Sequence, residues 1–234
     1  MKIFSDNINL SRSNFLRNLL DSLGATDENI AIHLEGENIY LTNEKYREKQ
    51  VVVNFSNSSL IKLTNERCRN NNDIFKKLFP FSYKKIIDCT AGFGRDGFIL
   101  SNMGYNVTMI ENSPVVSILL NHAVKNDNSK KIRFFHGNSY DFLANTQESF
   151  DYAYFDFMFE KTKTGSLGSK HDETLKKIAF FEKNIDELIS IATNKCGQRV
   201  VLKEAARSNM KLPKPNYCIK TKLLNYNIYN GYKK

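Results

Sequence analysis

The run KKIIDCTAGFGRDGFIL, Lys84 to Leu100, decides the fold. An apolar pair, Ile86 and Ile87, ends on Asp88, and Gly92 and Gly94 follow one residue apart. The pair Arg95-Asp96 comes next, and a helical pattern begins at Gly97-Phe98-Ile99-Leu100. A short apolar run, a glycine turn and a helix form the opening of a strand–helix–strand unit. Two glycines at a strand end let the backbone turn tightly and leave no side chain between the loop and a ligand.

The alternation continues outward from this stretch. NVTMIE is a strand, PVVSILLNHAVKN a helix with Pro114 in its first turn, KIRFFHG a strand and YDFLAN a short helix. FDYAYFDFMF is a strand, ETLKKIAFFEKNIDELISIATNK a long helix and RVVLKE a strand. YCIKTK and NYNIYNGY read as a closing hairpin. Strands alternating with helices predict an α/β fold, a mostly parallel sheet covered on both faces, with an antiparallel C-terminal hairpin at one edge. Upstream, RSNFLRNLLDSLG reads as a helix, NIAIHLE and NIYLT as strands around Gly36, VVVNF as a further strand, and NDIFKKLF as a short helix. The elements before residue 70 make a small N-terminal α+β extension, residues 1–70, and NDIFKKLF falls at the start of a main domain at 71–234.

In such a sheet ligands bind outside the carboxyl ends of the strands. Asp88 to Gly94 lies at one strand end, and Glu111 closes the next. A carboxylate there can accept hydrogen bonds from both ribose hydroxyls of an adenosine. HGNSYD, with Asn138 and Ser139, follows a third strand, and Asp156 closes a fourth. A glycine pair alone is a weak signal. Acids rather than a phosphate cradle line this site, which favours a positively charged, ribose-bearing ligand without a pyrophosphate. S-adenosylmethionine, a sulfonium cation, fits better than a nicotinamide dinucleotide. By physics alone, Asp96 could instead cap the helix that starts near Gly94.

The totals bound the setting. The chain has 234 residues and a net charge of +9. From Lys195 to Lys234 there are ten lysines and arginines and one acid, Glu204, so that segment carries the whole excess. Such a segment is the footprint of a polyanion-binding face. No run approaches the ~20 apolar residues of a membrane span, and MKIFSDNINL has no signal-peptide pattern. Cys68, Cys89, Cys196 and Cys218 are scattered and the histidines have no ligand spacing, so the expectation is a cytoplasmic protein with no metal and no membrane partner.

IIDCTAGFGRDGFIL, MIENSPVVSILL, HGNSYDFL, YFDFMF and RVVLK together resemble successive motifs of the ribosomal small subunit methyltransferase J family. The resemblance implies the class I methyltransferase (Rossmann-like) fold and S-adenosylmethionine as cofactor. It implies transfer of a methyl to the exocyclic N2 amine of a guanosine in small-subunit ribosomal RNA, with that RNA or the small subunit as partner. Carried over by position, the cofactor contacts fall on Arg95, Asp96, Glu111, Asn112, Asn138, Ser139 and Asp156, beside Asp88, Gly92 and Gly94 of the loop. Asp156 and Phe159 would be catalytic, the first orienting the amine and the second stacking on the base. Apart from the resemblance, the basic segment from Lys195 includes a strand expected beside the one that bears Asp156, so its Lys203, Arg207, Lys211 and Lys214 are expected to hold RNA phosphates.

Two departures bear on the substrate. The family has Asp-Pro-Met-Phe after its fourth strand, whereas this chain has Asp156-Phe157-Met158-Phe159 and so lacks the proline that fixes φ. The family's basic, glycine-rich segment is here IKLTNERCRNNND, which keeps Arg67 and Arg69 but no glycine. The alternatives are a methyltransferase of a small-molecule or protein amine, and a non-catalytic relative that binds cofactor or RNA.

Overall fold

The computed structural model describes residues 2–5, 21, 30–43, 50–81, 84–129, 131–157, 184–208 and 211–232. Its centre is a seven-stranded sheet built from β4 (Lys85–Asp88), β5 (Asn106–Glu111), β6 (Ile132–His136), β7 (Phe150–Asp156), β8 (Cys196–Ala205), β9 (Tyr217–Lys220) and β10 (Leu224–Asn230). The spatial order is β6-β5-β4-β7-β8-β10-β9. The first five strands pair in parallel, and β10 runs antiparallel to both β8 and β9. The order reverses between β4 and β7. That reversal leaves a crevice at the carboxyl ends of these two strands, because the connections leave on opposite sides.

The inner parallel strands β4, β5 and β7 are buried on both faces and read as near-continuous apolar runs, as a sheet covered by helices requires, whereas β6 at the edge is largely exposed. Ile86, Val107, Met109, Tyr152 and Tyr154 enter one core, and Ile87, Ile110, Ala153, Phe155, Val200 and Leu202 the other. Helix α3 (Arg95–Asn102) follows β4, α4 (Pro114–Lys125) follows β5, α5 (Ser139–Asn145) follows β6, and α6 (Ile185–Lys195) precedes β8. The start of α4 is fixed locally: Ser113 Oγ accepts from Val116 N–H at 3.4 Å, and Pro114 occupies the first turn.

The N-terminal part forms a second sheet, β1 (Lys2–Ser5), β2 (Ile30–Glu35) and β3 (Asn38–Asn43). Ile30, Ile32, Leu34, Ile39 and Leu41 share a core with Leu119 and Leu120 of α4. Helices α1 (Ser58–Arg69) and α2 (Ile74–Leu78) lead into the main sheet. Arg67 of α1 donates from Nε and Nη2 to Asp73 at 2.8 and 2.9 Å, and its guanidinium lies 4.0 Å from the Phe75 ring centroid. These contacts bridge the expected boundary at residue 70.

The expected strand VVVNF is corrected. Only Val51 pairs, in an isolated bridge to Leu41. Val53 and Phe55 are buried, and Phe55 stacks on Phe98 at 4.7 Å, so the alternating pattern marks an extended segment crossing the core. The expected helix from Arg12 to Gly24 and the first half of the long helix before Lys195 lie outside the described residues, apart from Asp21. Among the described residues, no helix is long and apolar enough to cross a membrane.

Candidate active site

The site is built on the carboxyl ends of β4, β5 and β7. Beyond β4 the backbone stays stitched to both neighbours: Cys89 N–H donates to Tyr154 O at 2.9 Å and Ala91 N–H to Ile110 O at 3.0 Å. The turn then needs two left-handed residues, Gly92 at φ 54° and Gly94 at φ 75°. A Cβ on Gly94 would sit 2.5 Å from Leu120 Cδ1 and 2.9 Å from Phe55 Cζ. Gly92, Gly94 and Gly97 also stand at the GxGxxG spacing, a match that reading the turn from Gly92 and Gly94 alone misses. The third glycine lets α3 close onto β5: a Cβ there would lie 2.3 Å from Met109 Cε and 3.3 Å from Asp88 Oδ2. Spacing alone therefore does not separate this loop from a dinucleotide loop. The acids around it carry that distinction.

Glu111 closes the turn from the β5 side. Its Oε2 accepts from Gly92 N–H at 2.8 Å and its Oε1 from Ser113 N–H at 2.7 Å. Burial pushes the Glu111 carboxyl up, and the backbone N–H groups of Ser113, Gly92 and Asn112 pull against that shift. Each oxygen keeps a second lone pair for a hydroxyl. Asp88 is fully buried and held well above the usual carboxylate range, first by desolvation and then by the charges of Asp96, Asp156 and Glu111. Ser139 Oγ donates to Cys89 O, tying the end of β6 to the loop. Asn138 caps α5, its Oδ1 accepting from Tyr140 N–H at 2.7 Å. Asn112 follows Glu111 at the mouth of the same crevice, half-buried, and Arg95 opens α3 with its side chain exposed.

Asp96 does not cap α3. Gly94 holds the N-cap position without a side-chain bond, and Asp96 Oδ2 accepts from Tyr154 Oη at 2.7 Å and from Lys203 Nζ at 3.3 Å. Asp156 N–H donates to Thr90 Oγ1 at 2.7 Å, and Asp156 Oδ2 accepts from Lys203 Nζ at 2.6 Å. Burial lowers the Lys203 ammonium, but Asp96 and Asp156 together raise it further, so it stays charged. Burial, helped by the charges of Asp96 and Asp156, raises Tyr154 well above its ordinary value, which keeps its hydroxyl a donor.

Lys203 thus stands apart from the surface cations with which the charge pattern grouped it. Arg207, Lys211 and Lys214 are exposed, whereas Lys203 lies between two carboxylates. The reason is register: Lys203 pairs with Asp156 across β7 and β8, which carries its side chain into the crevice. Thr90 and Tyr154 were legible only as loop and core residues. The run FDYAYFDFMF marks Tyr154 as a strand aromatic, with no sign that its hydroxyl reaches Asp96. Phe159 lies outside the described residues. Phe157 turns its ring onto Phe155, at 5.6 Å and 20°, and packs beside the second core.

The crevice gathers four carboxyl groups, Asp88, Asp96, Glu111 and Asp156, and Lys203 pairs with only Asp96 and Asp156, a balance that suits a cationic ligand. Comparison with known proteins agrees. A family model described as "Putative SAM-dependent methyltransferase" matches residues 17–231. The chain belongs to this family. It is 30% identical over 151 residues to a ribosomal RNA small subunit methyltransferase J from Coxiella burnetii, covering 62% of this chain and 59% of that relative. It is 28% identical over 239 residues to the Buchnera aphidicola protein of the same name, covering 94% of each. A crystal structure of a SAM-dependent methyltransferase from Neisseria gonorrhoeae superposes with a TM-score of 0.69 at 20% identity, covering 100% of this chain and 97% of that one. The shared fold is the class I methyltransferase sheet, and the family's cofactor is S-adenosylmethionine.

The raised carboxyls give this cofactor assignment a pH signature. A bound cation favours ionised Asp88 and Glu111, so binding below their raised values must expel protons. Affinity for S-adenosylmethionine is therefore expected to rise with pH through the window above the ordinary carboxylate range and then level off. Calorimetric titration in buffers of different ionisation enthalpy checks this. Affinity independent of pH, with no proton release, would contradict it.

Proposed function

We propose that the chain methylates the exocyclic N2 amine of a guanosine in small-subunit ribosomal RNA, in the cytoplasm, using S-adenosylmethionine. The observation that carries this reading is Asp156 at the end of β7, across the crevice from the glycine loop and fixed by Thr90 and Lys203. The relatives named for small-subunit ribosomal RNA support the substrate class. When bound, S-adenosylmethionine would supply a methyl on a sulfonium: the C–N bond would form as the C–S bond breaks, sulfur keeping the bonding pair, and the methylated amine would lose one proton to solvent.

The chain's own residues bind and orient. Glu111 receives the ribose hydroxyls, with Asn112 beside it, and Asn138 and Ser139 close the site from β6. Asp88, Arg95 and Asp96 frame the glycine loop. Asp156 accepts from the target amine and stabilises the positive charge that grows on its nitrogen, so catalysis is mostly positioning and electrostatics. Phe159 stacks on the unpaired base. The test is incubation of the purified protein with methyl-labelled S-adenosylmethionine and small subunits, followed by digestion to nucleosides. Label in N2-methylguanosine supports the reading; label in another nucleoside, in protein or nowhere contradicts it.

Arg207, Lys211 and Lys214 follow the carboxyl end of β8 on the side of Asp156, and we assign them to RNA phosphates. Arg67, the rival cation upstream, is committed to Asp73 and Phe75. Neutralising the three together is expected to weaken RNA binding at every sequence. It should also flatten its salt dependence by ~0.7 to 0.9 in log–log slope for each phosphate left without its cation, with cofactor affinity unchanged. An unchanged slope in RNA titrations across a salt series would remove them from the interface.

A further inference from the structure

We propose that Lys203 is the positioning residue for Asp156, fixing the carboxylate that receives the target amine. This rests on the proposed amine methylation and names a part of the site that the family resemblance does not supply. Asp156 is gripped at two points, its N–H on Thr90 Oγ1 at 2.7 Å and its Oδ2 on Lys203 Nζ at 2.6 Å. The same ammonium reaches Asp96 Oδ2 at 3.3 Å, and that oxygen also takes the Tyr154 hydroxyl. The line Tyr154–Asp96–Lys203–Asp156 therefore joins the helix behind the glycine loop to the strand end that presents the substrate acceptor. With Oδ2 held, rotation of the carboxylate about its Cβ–Cγ bond is restrained.

The departure at Phe157 gives this strut a purpose. A proline after the aspartate would stiffen the backbone there. Here Phe157 anchors by its ring, Thr90 holds the Asp156 backbone N–H, and Lys203 of β8 holds the carboxylate. Lys203 also sets the charge of its surroundings. Asp88 from β4, Asp96 from α3, Tyr154 from β7 and Tyr226 from β10 all act on Lys203 or Asp156, with Arg67 of α1 facing Asp96 and Tyr226. Among these described groups Lys203 is the cation in direct contact with Asp156.

The test compares Lys203→Met and Lys203→Arg with the unaltered protein in single-turnover methylation of small-subunit RNA over a pH series. Methionine is expected to lower the rate at saturating RNA by on the order of 100-fold with the RNA KM unchanged. It should move the acid limb of the profile to higher pH, and arginine should recover much of both. If methionine leaves the saturating rate intact but raises the RNA KM and flattens its salt dependence, Lys203 is a phosphate contact and the proposal falls. A second readout needs no RNA: carbon NMR of the Asp156 carboxyl, titrated with pH. A midpoint that rises in Lys203→Met supports the strut, and an unmoved midpoint overturns it. If the midpoint moves while the unaltered protein methylates no ribosomal RNA, the strut stands and the substrate reading fails.

Discussion

Asp156→Ala is expected to lower single-turnover methyl transfer by about 10²- to 10³-fold, the cost of removing one preorganised group aimed at developing charge. RNA affinity should change little, because the proposed phosphate contacts, Arg207, Lys211 and Lys214, lie elsewhere. The carboxylate sits where the β4 and β7 ends face each other, its N–H on Thr90 and its Oδ2 on Lys203. Truncation removes the proposed acceptor for the amine and leaves Lys203 with Asp96, so some loss of cofactor affinity is expected beside the loss of rate. Asp156→Asn keeps an acceptor oxygen in place and removes the charge. A much smaller loss in the amide than in the alanine variant would make geometry the larger part of the effect. Near-normal transfer in Asp156→Ala would take Asp156 out of catalysis.

Glu111→Ala is expected to weaken S-adenosylmethionine binding by roughly 1.5–3 kcal/mol, the range for hydrogen bonds to a charged group. That corresponds to about 10- to 150-fold in Kd. The structure adds a second consequence. Glu111 receives Gly92 N–H and Ser113 N–H, so alanine leaves two donors of the loop without their carboxylate. Thermal stability without cofactor should fall as well, and Glu111→Gln, which keeps an acceptor oxygen, should spare more of it than of the affinity. Unchanged affinity by calorimetry in Glu111→Ala would contradict the ribose assignment.

Much of the sheet was readable from local pattern. The parallel strands are apolar runs bounded by glycine, proline and asparagine, and the closing hairpin alternates as an edge pair does. What escaped was set by non-local packing. Val51 to Phe55 alternates like a strand, yet finds one bridge partner, because the period reports burial and not pairing. Helix α1 carries few apolar residues, Leu60 and Leu63 among them, and is fixed by Asn57, whose Oδ1 accepts from Ser59 and Leu60 N–H. A polar helix docked on a neighbour leaves a weak periodic signal. β1 pairs in parallel with a strand far along the chain, which no short window detects.

The site was legible as strand ends and less so as a network. Glu111 and Asp156 follow from the rule that ligands meet the carboxyl ends of strands. The ion pairs of Lys203 follow from the register between β7 and β8, and a count of charges along the chain places that lysine with its surface neighbours instead. Tyr154 looks like every other aromatic of its strand until its hydroxyl is seen on Asp96.

The central claim is most directly tested by mapping modified nucleotides in small-subunit ribosomal RNA from cells with and without this gene, and from cells carrying the Asp156→Ala form. The account predicts one N2-methylguanosine present with the unaltered gene and absent in the other two. The same pattern of modification in all three strains would contradict it.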